Sequence, residues 1–215
     1  PKRRTRATVA RELGLAPLAE RLLADPRSFS SGDADALVGS REELSDREAV
    51  LQGVRDIVAE GFAEDPALRR SLRRVFETEG MLMAKSAARR KGKDPDPQGR
   101  FSDYESWSEP ARSASSHRIL ALLRGEELGA LTVHLLPPDK RGVDVLLATV
   151  SRGDSFGEEQ LRLAGRESYN RLLAPSLEGE AKRGIKERAD REAATVFAEN
   201  LRDLLLAPPL GERRL

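Results

Sequence analysis

The chain has 215 residues, enough for one large domain or two small ones. Apolar residues make up 39% and suffice for a core, while 37 Lys and Arg against 36 Asp and Glu leave a formal charge of +1, so no charge excess announces a nucleic-acid or membrane-surface binder. The absence of cysteine excludes a disulfide framework and a thiolate metal site, and no apolar run approaches the roughly 18 residues of a membrane span; with no signal-peptide pattern either, the expected setting is the cytoplasm.

Thr5 can cap a short helix through Glu12, with Gly14 ending it, and Pro17 suits the first turn of a second helix through Ala24. Residues 25–32 read as a loop by their Pro, Ser and Gly content. Ser45-Asp-Arg-Glu48 is a capping box that starts a helix at Asp46 with Val50, Val54, Ile57, Val58 and Phe62 on its apolar face. Asp65-Pro66 starts the next, which buries Leu68, Leu72, Val75 and Phe76 and stops at Gly80, so the two helices form a hairpin. Residues 88–99 are polar and charged beyond Ala88, the pattern of a mobile loop.

Phe101, Tyr104 and Trp107 follow at three-residue spacing, as on one face of a short helix; a base-stacking platform is the alternative. Ser116 can cap a helix to Arg124 with Gly125 as its terminator, although Ile119–Leu123 also fits a hairpin strand. Leu131, Val133 and Leu135 alternate as in a strand, and Pro137-Pro138 ends it. Val143–Val150 fits either a second strand or a buried helical turn. Glu158–Leu173 is helical, and Pro175 should break it before a long amphipathic helix from Ser176 to Ala207, about 48 Å at ~1.5 Å per residue. Its stripe, Leu177, Ala181, Ile185, Ala189, Ala193, Val196, Phe197, Leu201, Leu204 and Leu205, predicts a buried spine, in which Phe197→Ala would cost about 3–5 kcal/mol.

The predicted fold class is therefore mostly α: a multi-helix scaffold with one long C-terminal helix and a small β element near 130–150. Four segments follow: an N-terminal helical pair (1–24) belonging to a larger helical domain, a helical hairpin with a basic loop (25–100), a mixed helix and strand segment (101–175), and the spine (176–215) leading into a further domain.

Three motifs carry a family likeness. They are Pro1-Lys-Arg-Arg-Thr-Arg-Ala-Thr8, Ser116-His-Arg-Ile-Leu-Ala-Leu-Leu-Arg-Gly125, and the run of Ile185-Lys-Glu-Arg-Ala-Asp190, Val196-Phe-Ala-Glu-Asn-Leu201 and Leu204–Leu210. In this order they resemble the bacterial Tex family of RNA-binding transcription accessory proteins. The resemblance implies a middle piece of such a protein, with a helical segment before it and a ribonuclease-H-like domain, helix-hairpin-helix repeats and an OB-fold RNA-binding module after it. It also implies RNA or DNA, flanking domains of the same protein and the transcription machinery as partners, and no membrane.

Catalytic candidates are few. His117 lies in the first turn of a predicted helix with no acid to orient it, and His134 faces away from Val133 on a strand. Carboxylate pairs such as Glu126-Glu127 and Glu158-Glu159 suit helix caps and solvated faces, and no phosphate loop or calcium loop is present. No enzymatic activity, cofactor or metal is expected.

Basic clusters are the functional signal. Lys2, Arg3, Arg4 and Arg6 form one. Arg69, Arg70, Arg73 and Arg74 form a second, opposite Leu72 and Phe76, and Arg89, Arg90, Lys91 and Lys93 a third. Such groups bind phosphates without reading sequence. The competing reading is a solvated face paired with Asp65, Glu77 or Glu79.

Overall fold

Side-chain caps and prolines set the starts of most helices. The computed structural model describes residues 4–87, 96 and 98–206. Helix α1 (Arg6–Glu12) starts at Thr5, whose hydroxyl accepts the Thr8 N–H at 3.1 Å, and α2 (Ala16–Ala24) has Pro17 in its first turn. The end of the expected loop is instead helix α3 (Ser31–Asp35), held by a reciprocal box between Ser30 and Asp33. Helix α4 (Arg47–Glu64) is capped by Asp46, which accepts the Ala49 N–H at 2.9 Å, so the cap lies one residue after Ser45. Asp65 ends α4 and caps α5 (Pro66–Glu79) by accepting the N–H groups of Ala67 and Leu68.

Strand β1 (Met81–Ser86), a 3-10 turn (Ser102–Tyr104) and strand β2 (Ser106–Pro110) come next. Then follow α6 (Ser116–Glu127), β3 (Leu131–Leu136), α7 (Arg141–Val150), α8 (Phe156–Ser168), a π-turn (Tyr169–Leu173) and α9 (Ala174–Leu206). The class is mostly α, with a long C-terminal helix and a small sheet, as the sequence predicts. The chain divides into two compact units, Pro1–Glu79 with Leu136–Gly179, and Gly80–Leu135 with Glu180–Leu215.

In the first unit α4 is the central helix. Val50, Val54 and Val58 are buried and share a core with Leu15, Leu22, Phe29, Leu44 and, from α8, Leu161 and Ala164. Full burial of each large side chain contributes about 1.5–3 kcal/mol. Ser168 on α8 donates to the Ala59 carbonyl of α4 at 2.8 Å, which satisfies a buried hydroxyl. Residues 143–150, ambiguous in sequence, are helical because Val143 and Leu146 occupy one inward face of α7.

The second unit is built on a sheet of order β2-β1-β3. β1 and β2 are antiparallel, with Met81 opposite Pro110 and Lys85 opposite Ser106. Leu131, Val133 and Leu135 point inward on β3, while Thr132 and His134 are exposed. The three-residue spacing of Phe101, Tyr104 and Trp107 does not mark a helix, because Trp107 lies on β2 and pairs with Ala84. The hairpin reading of Ile119–Leu123 also fails: these residues are inside α6, where Ile119 and Leu122 are buried. Gly125 does not end that helix either. A methyl there would sit 2.7 Å from Leu131 Cδ1, so glycine serves close packing, and the chain leaves α6 at Gly129, with φ +76°.

Pro175 does not break the chain of helices. The Ala174 N–H bonds to the Tyr169 carbonyl, five residues back, and this wide turn opens the ladder where proline lacks an N–H and its ring would crowd a carbonyl. The spine expectation holds for only half of α9. Leu177 and Ala189 are buried and Ala181 and Ile185 half-buried, but every residue from 190 to 206 is exposed, including Phe197 at 68%.

Candidate nucleic-acid interface

The three basic clusters have different fates. Lys2 and Arg3, and all of Arg89, Arg90, Lys91 and Lys93, lie outside the described residues. Arg4 is exposed and paired with Glu12 at 2.5 Å, and Arg6 is exposed on the first turn of α1. The quartet on α5 divides by helical geometry. Arg69 and Arg73, one turn apart, are half-buried; Arg69 donates to Ser176 Oγ at 3.1 Å. Arg70 and Arg74, on the neighbouring row, are exposed, and their guanidinium groups make no ion pair or hydrogen bond with the described residues.

The structure brings together a set that the charge pattern did not single out. Where α4 meets α8 and the π-turn, the contact is polar. Arg55, 4% exposed, donates to Gln160 at 2.7 Å and to Gln52 at 2.9 Å, and pairs with Glu48. Gln52 donates to both Glu167 oxygens at 3.1 Å, and Arg171 pairs with the buried Asp56 at 2.8 Å. Burying these charges is tolerable because each has a partner. The Arg171 Nε–H is buried and has no partner among the described residues. No sequence signal marks this set: Gln52, Arg55 and Asp56 fall between the apolar positions of α4, where polar residues are ordinary.

Two grooves open along this contact. One, of about 270 Å³, is lined by Arg6, Arg69 and Arg171 and by Asp56, Glu60 and Glu64. The other, of about 380 Å³, is lined by Arg6, Arg55, Arg166 and Arg171 with only Glu48 and Glu167 as acids. The first is charge-balanced and the second is basic.

In the second unit His117 is exposed, with Nε2 3.3 Å from Ser115 Oγ and no acid among its hydrogen-bond partners. Trp107 is half-buried: Arg118 lies over the ring at 4.7 Å, and Tyr104 meets it in a T-shaped contact at 5.7 Å. Among the described residues no three His, Cys, Asp or Glu side chains are grouped as a metal site requires, and no helix is long and apolar enough to cross a membrane.

A family model described as Tex central region-like matches residues 25–197, most of the chain. The chain belongs to the Tex family. Protein tex of Bordetella pertussis is 36% identical over 227 residues, which cover 99% of this chain and 28% of that protein. The transcriptional accessory protein Tex of Neisseria gonorrhoeae is 38% identical over 218 residues, 98% of this chain and 28% of its own length. The S1 RNA-binding domain-containing protein 1 of Homo sapiens is 29% identical over 223 residues, 98% of this chain and 22% of its own. The chain thus spans little more than a quarter of its bacterial Tex relatives. Two of the Tex-like motifs lie in the second unit. Ser116–Gly125 forms most of α6, and within Ile185–Asp190 the Arg188 guanidinium donates to the carbonyls of Ala111, Arg112 and Ala114 just before that helix.

Proposed function

We propose that the chain is the helical scaffold segment of a nucleic-acid-binding transcription accessory protein, and that it touches RNA or DNA phosphates without reading sequence. Arg70 and Arg74 carry this reading. They are exposed one turn apart on α5, and their charges are uncommitted among the described residues. A surface arginine without a carboxylate partner pays no ion-pair cost to bind a phosphate, and releases a counterion when it does. The names of the relatives, a transcriptional accessory protein and an S1 RNA-binding domain protein, support the nucleic-acid setting. The segment has no catalytic role in this reading; His117, exposed and without an acid partner, fits that.

The test is RNA and duplex DNA binding by the full chain across salt concentrations. Each duplex phosphate contact releases about 0.9 counterion, so Arg70→Gln with Arg74→Gln should flatten the log–log slope by about 1.8. Unchanged affinity and slope would favour the second reading, a scaffold that only positions flanking domains of the same protein. The engagement of Arg4 with Glu12 and of Arg69 with Ser176 speaks for that alternative.

A further inference from the structure

The basic groove at the π-turn has the charge and size of a small-ligand site. Its volume of about 380 Å³ falls in the range of pockets that hold nucleotide-sized molecules. Arg55 and Arg171 are already held by Glu48 and Asp56, so they form a rigid floor. Arg166 of α8, Arg6 of α1 and the Asn170 side chain of the π-turn are exposed and have no side-chain partner among the described residues. Four guanidinium groups line the groove with two carboxylates, and Asp56, paired with Arg171, is a third beside it, so one positive charge is in excess. The adjoining groove, with equal numbers of arginines and acids, lacks this excess.

A π-turn inserts one residue into a helix and re-aims the side chains at that point, and such turns recur at functional sites. In this chain it places Asn170 beside Arg171 in the lining of the groove. A phosphate monoester carries about −1.5 to −2 charges at neutral pH and a backbone diester one, so the monoester draws more from Arg6 and Arg166, the two arginines here without a carboxylate partner among the described residues. Guanidinium groups meet its oxygens with paired N–H donors.

We propose that this groove binds the terminal phosphate monoester of a nucleotide, either free or at the 5′ end of an RNA strand. The site stands on its own charge and does not depend on the α5 arginines of the preceding reading.

The test is calorimetric titration of the full chain with AMP, adenosine, and a tetraribonucleotide bearing either a 5′-phosphate or a 5′-hydroxyl. AMP should bind and adenosine should not. Affinity should rise with pH through about 6, where the phosphate loses its second proton. Arg166→Gln, alone and with Arg6→Gln, should weaken binding at least tenfold while the thermal melt stays unchanged, because both side chains are exposed. Arg70→Gln with Arg74→Gln should leave AMP binding intact, which separates this site from the α5 face. A gain of the 5′-phosphorylated over the 5′-hydroxyl strand identifies the RNA end as ligand; binding of AMP alone identifies the free nucleotide. Failure of both AMP and the 5′-phosphorylated strand to bind, or equal binding by the Arg166→Gln protein, overturns the proposal.

Discussion

Helix α4 contains a controlled experiment on how the first unit is packed. It carries two glycines, Gly53 and Gly61. In a helix interior glycine costs about 0.5–1 kcal/mol relative to alanine. Gly61 is exposed, and a methyl there would meet nothing within 4 Å, so Gly61→Ala should stabilise by that amount. At Gly53 the methyl would lie 2.3 Å from Leu15 Cδ1 and 3.5 Å from Ala10 Cβ. Leu15 is 0% exposed, so its methyl can retreat only into other core atoms. Overpacking of this kind costs about 1–3 kcal/mol, which offsets the propensity gain and leaves Gly53→Ala destabilised by ~0–2 kcal/mol. The same chemical change in the same helix should therefore differ by about 1–3 kcal/mol between the two positions. Urea denaturation followed by far-UV circular dichroism measures both. If Gly53→Ala stabilises as much as Gly61→Ala, then Leu15 does not seat against α4, and the docking of the N-terminal helices described above is wrong.

Other outcomes follow from single positions. Phe197→Ala should cost less than about 1 kcal/mol in the same assay, because the ring is 68% exposed and little burial is lost; a loss of 3 kcal/mol or more would mean that the ring is covered in solution. Asp46→Ala should cost about 1 kcal/mol through loss of the α4 cap, and a neutral result would remove that cap from the account. Glu158 is buried, and its carboxyl is held below the ordinary glutamate range by the Ser151 hydroxyl, then by the N–H groups of Arg152 and Gly153 and by Arg162. A depressed carboxylate stabilises the fold above its unfolded value of about 4.3, and that contribution fades as pH falls through the lower folded value. Melts of Glu158→Gln should thus lie furthest below wild type near neutral pH and converge with it in strong acid; a gap that does not depend on pH would refute the assignment.

Features written in neighbouring residues were legible in the sequence. Thr5, Asp65 with Pro66, and the alternation of Leu131, Val133 and Leu135 each act within a turn or a few residues, so their outcome needs no knowledge of the rest of the chain. β1 and β2 were not legible. Ser106–Pro110 carries a single large apolar residue, and it becomes a strand only because Met81–Ser86 offers it a ladder. Pro175 reads as a stop in sequence, and only the π-turn before it keeps the helix continuous. The stripe on α9 was read correctly as a period, but a period does not say whether a partner covers it: Leu177 and Ala189 are covered, Phe197 and Leu204 are not. The candidate groove shows the same division. The charge runs in the sequence drew attention to Arg6 and to Arg69, Arg70, Arg73 and Arg74, whereas the groove joins Arg6 to Arg55, Arg166 and Arg171, which lie in no such run. Caps and periodicity are local and so belong to the sequence; burial and the meeting of distant charges depend on which faces pack, and only the tertiary structure decides that.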